Sequence, residues 1–251
     1  MRMAIPLILP LLGLALAAAL WAVATLLLAA DTPILANFAP LEALRALSGL
    51  AIDPLMWSHI GVSLQRVAIG LVVALAIGVP LGILTGVSRA FAHTTTPLFQ
   101  FLRMISPLSW MPIAVMVLGV GDAPVYFLLA FAAVWPILLN TAAGVAQLDR
   151  NWLLLARSLS ATRSETILRV VVPGIVAHIL SGVRLAIGII WIILVPAEML
   201  GVSAGLGYFI LDARDRLAYP DLMAAILIIG ALGFALDYAA RWLYQHWLHK
   251  R

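Results

Sequence analysis

The sequence predicts an all-α integral membrane protein with about six transmembrane helices, and two observations predict it together. Hydrophobic residues make up 64% of the chain and charged residues 10%, with a mean hydropathy of +1.10, whereas soluble domains carry about 25% charged residues. The 251 residues also divide into apolar runs long enough to cross a bilayer, roughly 20 residues each, joined by short polar stretches. No separate soluble domain fits between them. The net charge of +4 and the pI near 10.0 do not point to nucleic acid, because the arginines are scattered along the edges of apolar runs. With no cysteine, a disulfide framework and thiolate metal sites are excluded.

Between Arg2 and Asp31 there is no charge. That run exceeds the roughly 7–15-residue core of a signal peptide, so it is expected to remain as the first span. With Arg2 inside, residues 31–57 fall outside, and Leu41 to Leu50 is weakly amphipathic, as a segment lying along the outer surface would be. The chain therefore divides into an N-terminal helix with its outer segment, 1–58, and a core, 59–251. The second span runs from about His59 to Val87. Its Gly70, Ala74, Gly78, Gly82 and Gly86 repeat every four residues on one face, a ladder that admits another helix closely. It is either a tight seam inside the protein or its dimer, or ordinary bundle packing. Arg66 is placed to snorkel.

Arg89 to Arg103 reads as a short inner turn with three threonines and Pro97. The third span that follows is broken by Pro107 and Pro112. Two prolines free backbone carbonyls, which a bilayer tolerates only where protein or a water-filled cavity satisfies them. Ser106, Trp110 and Pro112 are thus expected to line a passage, the alternative being a kink for packing. Gly119 to Asp122 turns outside, and a fourth span from about Ala123 to Ala146 carries Trp135, Pro136 and Asn140. An amide at that depth needs a neighbouring helix or a solute as partner.

The fifth span runs from Gly174 to about Pro196, with His178 and Arg184 able to reach back to the inner interface. Glu198, at its outer end, is a candidate for the translocation path or a carboxylate bonded to backbone or an arginine. Gly201 to Pro220 reads as the outer loop. The sixth span extends from Asp221 to about Arg241, where Asp237 and Arg241 have the spacing of a helical ion pair. Trp242, Tyr244 and Trp247 form an interfacial belt, and Lys250 and Arg251 stay inside. Arg2, Arg89, Arg103, Arg150, Arg157, Arg163, Arg169, Arg241, Lys250 and Arg251 then fall inside, against Arg45, Arg214 and Arg216 outside. Both termini are expected on the inner side.

Residues 147–173 form the most informative polar stretch. Four arginines against Asp149 and Glu165 place it in the cytoplasm. Asn151 or Asp149 can cap a first helix through Leu159, and Thr162 with Glu165 has the form of a capping box opening a second. That second helix is expected to stop near Pro173, which lacks an amide proton. Trp152, Leu155, Ala156 and Leu159 share a face of the first helix, and an apolar face outside the membrane needs a cover.

This stretch resembles the cytoplasmic loop of bacterial ABC-importer permeases, whose pattern is Glu-Ala-Ala, three residues, Gly, nine residues, then Ile-x-Leu-Pro. Aligned on Pro173, it falls on Leu154, Leu155 and Ala156, then Ser160, then Val170, Val172 and Pro173. The spacing holds, while Leu154 replaces the glutamate and Ser160 the glycine. The resemblance covers most of the chain, from Ser63 to the C-terminus, and is strongest over Ser106 to Pro112, Trp135 to Thr141, and Leu155 to Gly207 including Gly182 to Gly188 and Ala197 to Met199; together these look like the permeases of the nitrate, sulfonate, taurine and bicarbonate importers. It implies a type I ABC importer permease fold with a coupling-helix loop, in the bacterial inner membrane. It implies two permease copies, separate ABC ATPase subunits carrying ATP and Mg, and a periplasmic or lipid-anchored solute-binding protein. Trp152, Leu155, Ala156, Arg157, Leu159, Ser160, Ala161 and Pro173 would dock the ATPase. The cargo would be a small anion, nitrate-type before others.

Other chemistries fit poorly. Gly201 to Gly205 matches the Gly-x-Ser-x-Gly nucleophile elbow around Ser203, but that motif needs a strand before it; a membrane-embedded hydrolase is kept as the rival, beside an ATP-independent channel. His246 and His249 have no third metal ligand nearby in sequence. The only lysine is Lys250, so no phosphate-binding loop exists and no cofactor is expected on this chain.

Overall fold

A computed structural model describes residues 5–248. Among them are the helices α1 (Ile5–Asp31), α2 (Pro40–Leu50), α3 (Pro54–Val87), α4 (Arg89–Met104), α5 (Met111–Leu118), α6 (Asp122–Ala146), α7 (Arg150–Ser158), α8 (Arg163–Thr166), α9 (Val172–Glu198), α10 (Leu206–Asp215) and α11 (Tyr219–Leu248), with no strand. Among the described residues, five helical runs are long and apolar enough to cross a membrane: one each in α1, α3, α6 and α11, and the run Arg163–Glu198. Arg89–Met104 with Pro107–Leu118 makes a sixth if that pair, bent by 88°, is one span. The places expected for Arg2, His249, Lys250 and Arg251 lie outside the described residues, as does the side chain of Trp247.

Three expected boundaries change. Arg89 to Arg103 is not a turn but the 16-residue helix α4. Ser88 caps it by accepting the N–H of Phe91, and the hydroxyls of Thr94 and Thr95 donate to the carbonyls of Ala90 and Phe91, so the threonines are satisfied within the helix. Gly201 to Pro220 is not all loop, because α10 occupies its middle. The helix opened by Thr162 does not stop at Pro173 either. A π-helical turn over Ile167–Val171, in which the Val172 N–H donates to Ile167 O, leads directly into α9. The wider turn lets the ring in without the clash it brings to a regular helix.

The chain divides into two compact units, one ending at Ile60 and resuming over Phe209–Ala231, the other spanning Gly61–Tyr208 and resuming at Leu232. In the first, α1 presents Leu12, Leu16, Leu20, Leu26 and Leu27 outward, as a helix surrounded by lipid does. Trp21 donates its indole N–H to Phe38 O at 3.0 Å, and the Phe38 ring packs against Tyr219 at 4.8 Å.

The second unit is built around the packing of α9 along α6. Leu128, Leu129, Ile137, Ile190 and Leu194 are fully buried there. The helices approach closely at Gly182, where a Cβ would stand 3.0 Å from Pro136 O. The small-residue ladder of α3 lies on α6 in the same chain. A Cβ at Gly70 would come within 2.7 Å of Leu129 Cβ, and one at Gly82 within 2.6 Å of Thr141 Cβ. The ladder is thus a seam inside the protein, held by backbone proximity.

Candidate functional site

The interhelical stretch is locally determined from end to end. Asp149 caps α7 by accepting the Asn151 N–H at 2.9 Å. At the other end, Ala161 N–H donates to Ala156 O and Ser160 N–H to Arg157 O, both at 3.0 Å, and Ser160 has φ 55°. That is a complete Schellman motif with serine in the left-handed position usually held by glycine. Thr162 and Glu165 then form the capping box read from the sequence. Two helices are fixed at a tight corner, and the second is continuous with α9.

The residues expected to dock an ATPase separate into two groups. Trp152, Leu155 and Leu159 are 59%, 62% and 73% exposed, and Arg157 and Ser160 are exposed beside them. Ala156 is buried, with Ala161 and Pro173 partly so. Ala156 supports the corner from beneath, leaving Trp152, Leu155 and Leu159 outward together with Leu154.

The residues expected to line a passage also separate. Ser106 and Pro112 are exposed and Trp110 is half-buried, its ring 5.6 Å from that of Phe131. Asn140 donates an amide hydrogen to Pro136 O in its own helix at 2.8 Å. It borders a groove of about 470 Å³ with Ala132, Trp135 and Pro136 of α6, Leu185, Ile189 and Ile193 of α9, and Arg103 and Pro107. Ser106, Trp110 and Pro112 are not in that lining. Arg103, expected in an inner turn, stands instead against the middle turns of α6 and α9. Sequence reasoning missed this because a helix was read as a turn.

Glu198 is fully buried, and both its oxygens are occupied. Ser63 Oγ donates to Oε1 at 2.8 Å, Arg66 Nη1 to Oε1 at 2.7 Å, and Gly207 N–H to Oε2 at 2.9 Å. Arg66 also donates to Ala204 O at 2.7 Å and pairs with Asp122 at 2.5 Å. The expectation that Arg66 snorkels is corrected: only 2% of it is exposed, because these acceptors converge on it. The network joins α3, α6, α9 and the segment after α9. Ser63, Asp122 and Gly205 were missed as its members; the cue available in the sequence was an arginine and a glutamate both bordering apolar runs. Farther along, Arg241 donates Nε to Asp237 at 2.7 Å, as its spacing predicts, and Arg184 approaches Asp237 at 3.6 Å.

Ser203 lies in an exposed segment between two helices, with no strand before it among the described residues, so the nucleophile-elbow geometry is not formed. No group of three or more metal-ligating side chains occurs among the described residues.

The fold is one of bent and paired helices of membrane-spanning length joined by a capped interhelical corner. Structural neighbours agree on the fold. The methionine ABC transporter MetNI in an inward-facing conformation matches with TM-score 0.62 at 14% identity, over 77% of this chain and 98% of that one. An amino acid ABC transporter matches with TM-score 0.58 at 17% identity, over 82% and 98%. Residues 78–249 match the family described as binding-protein-dependent transport system inner membrane component, and the chain belongs to that family. It is 41% identical to the bicarbonate transport system permease protein CmpB of Synechococcus elongatus over 77% of this chain and 69% of the relative. It is 36% identical to the nitrate import permease protein NrtB of Leptolyngbya laminosa over 79% and 74%. With the taurine transport system permease protein TauC of Escherichia coli the identity is 30% over 88% and 81%. The chain is a multi-pass inner-membrane permease subunit of an ABC importer, not an enzyme.

Proposed function

We propose that this permease imports a small anion of the nitrate, bicarbonate or sulfonate class by alternating access, nitrate-type before the others, and that α7 with the corner at Ser160 receives an ABC ATPase. The observation that carries the docking reading is the outward apolar trio Trp152, Leu155 and Leu159 on a helix capped at both ends. A rigid corner with an uncovered apolar face is suited to transmit force from a partner, and the continuous helix from Arg163 to Glu198 is the lever. ATP and Mg belong to the partner, and a periplasmic or lipid-anchored binding protein delivers the solute. Two permease copies assemble with both termini on the ATPase side, the arrangement favoured by the excess of arginine near 150–169. The passage runs past Ser106, Trp110, Pro112 and Asn140, with Glu198 bracing its outer end.

The test substitutes Leu159→Glu and Trp152→Glu separately and measures how much ATPase co-purifies with the permease. Capture is expected to fall at least about tenfold, corresponding to roughly 1.4 kcal/mol. Full capture and full ATP-driven uptake in both variants would remove α7 as the docking surface. Ala156→Glu is a poorer test, since its side chain would enter a buried position.

A further inference from the structure

Arg103 closes α4 beside Ala132 to Asn140 of α6 and Leu185 to Ile193 of α9, the middle turns of two spans. An arginine facing lipid at such depth costs at least about 2.5–3.5 kcal/mol on insertion scales, so arginines there face a partner or a water-filled cavity. Among the described residues no carboxylate is within ion-pair distance of Arg103, and its guanidinium makes no hydrogen bond. By contrast, Arg66 and Arg184 both have acids.

The groove that Arg103 borders carries hydrogen-bond donors and no acid. Asn140 commits one amide hydrogen to Pro136 O and retains a second donor. A guanidinium and an amide match a small oxyanion, which offers acceptors in several directions. The remaining lining is mostly apolar, and low polarity strengthens such contacts. The volume of about 470 Å³ accommodates the ion with several waters, each needing about 30 Å³.

We infer that this groove is an anion subsite of the permease itself, with Arg103 as charge partner and Asn140 as neutral donor. It deepens the importer reading by assigning part of cargo selection to the membrane subunit, and it rests on that reading for its place in transport. Binding at the site needs no ATPase, so it is tested separately from docking.

The full chain is placed in nanodiscs of phosphatidylcholine, which supplies no anionic lipid, and titrated calorimetrically with nitrate, hydrogencarbonate and ethanesulfonate. At least one anion is expected to bind. Arg103→Gln weakens it about tenfold or more, and Arg103→Lys weakens it less, because the charge remains while the planar fork is lost. Asn140→Leu, which removes the amide donor, weakens it about threefold or more. Arg241→Gln, outside the groove lining, leaves it unchanged. Three outcomes overturn the site: no binding of any of the three anions, unchanged affinity in Arg103→Gln, or separation of two copies in that variant without loss of affinity. The last would assign Arg103 to a carboxylate on a second copy. Failed ATPase capture with intact anion binding would overturn docking alone, and the converse would overturn this subsite alone.

Discussion

Arg66 and Arg103 are both basic side chains among apolar helices, and their surroundings treat them oppositely. Arg66 is enclosed by Asp122, Glu198 and Ala204 O, so its charge is balanced within the fold. Removing one member of a buried pair leaves the other uncompensated, at a cost of about 3–5 kcal/mol. Arg66→Leu is therefore expected to lower the permease's thermal unfolding temperature strongly. Adding Glu198→Leu should recover part of the loss, because the stranded charge is gone. A single variant that melts like the wild type would show that the network contributes no stability. Gly205 belongs to the same arrangement: with φ +113° and a Cβ that would meet Arg66 Nη1 at 2.5 Å, it is glycine for reasons of both backbone and space.

Two elements decide how the bundle holds and how it is approached from outside. The seam of α3 on α6 leaves no room at Gly82, where a Cβ would fall 2.6 Å from Thr141 Cβ. Gly82→Leu should separate the helices, with a drop in folded yield and about 1–3 kcal/mol of destabilisation, read by thermal unfolding in detergent. Gly188→Ala, with nothing within 4 Å, is the matched control and should be tolerated. The corner after α7 makes the opposite prediction. Ser160 has φ 55°, a conformation costing roughly 1–2 kcal/mol for residues with a Cβ. Ser160→Gly should raise stability by up to about 1 kcal/mol, and Ser160→Val should lower it. The capping residues were legible because Asp149, Thr162 and Glu165 act over two or three residues. The passage of a helix through Pro173 was not, because the wide turn before it also depends on packing: Val171 is buried.

At the scale of the molecule, the importer assignment predicts that anion uptake into vesicles bearing the full transporter requires ATP. Uptake should fall to the passive leak when ATP is replaced by a non-hydrolysable analogue; uptake that continues unchanged would favour a channel. The sequence by itself determined that the chain is a helical membrane protein with about six candidate crossings and a polar corner before Pro173. It did so because apolar run length, capping and charge bias are short-range properties written along the chain. Only the tertiary structure decided that Ser63, Arg66, Asp122 and Glu198 meet, that the glycine ladder closes on α6, and that Arg103 lies beside the middle of two spans. Those facts depend on which helix faces lie together, and groups up to 135 residues apart leave no periodicity that local reading can detect.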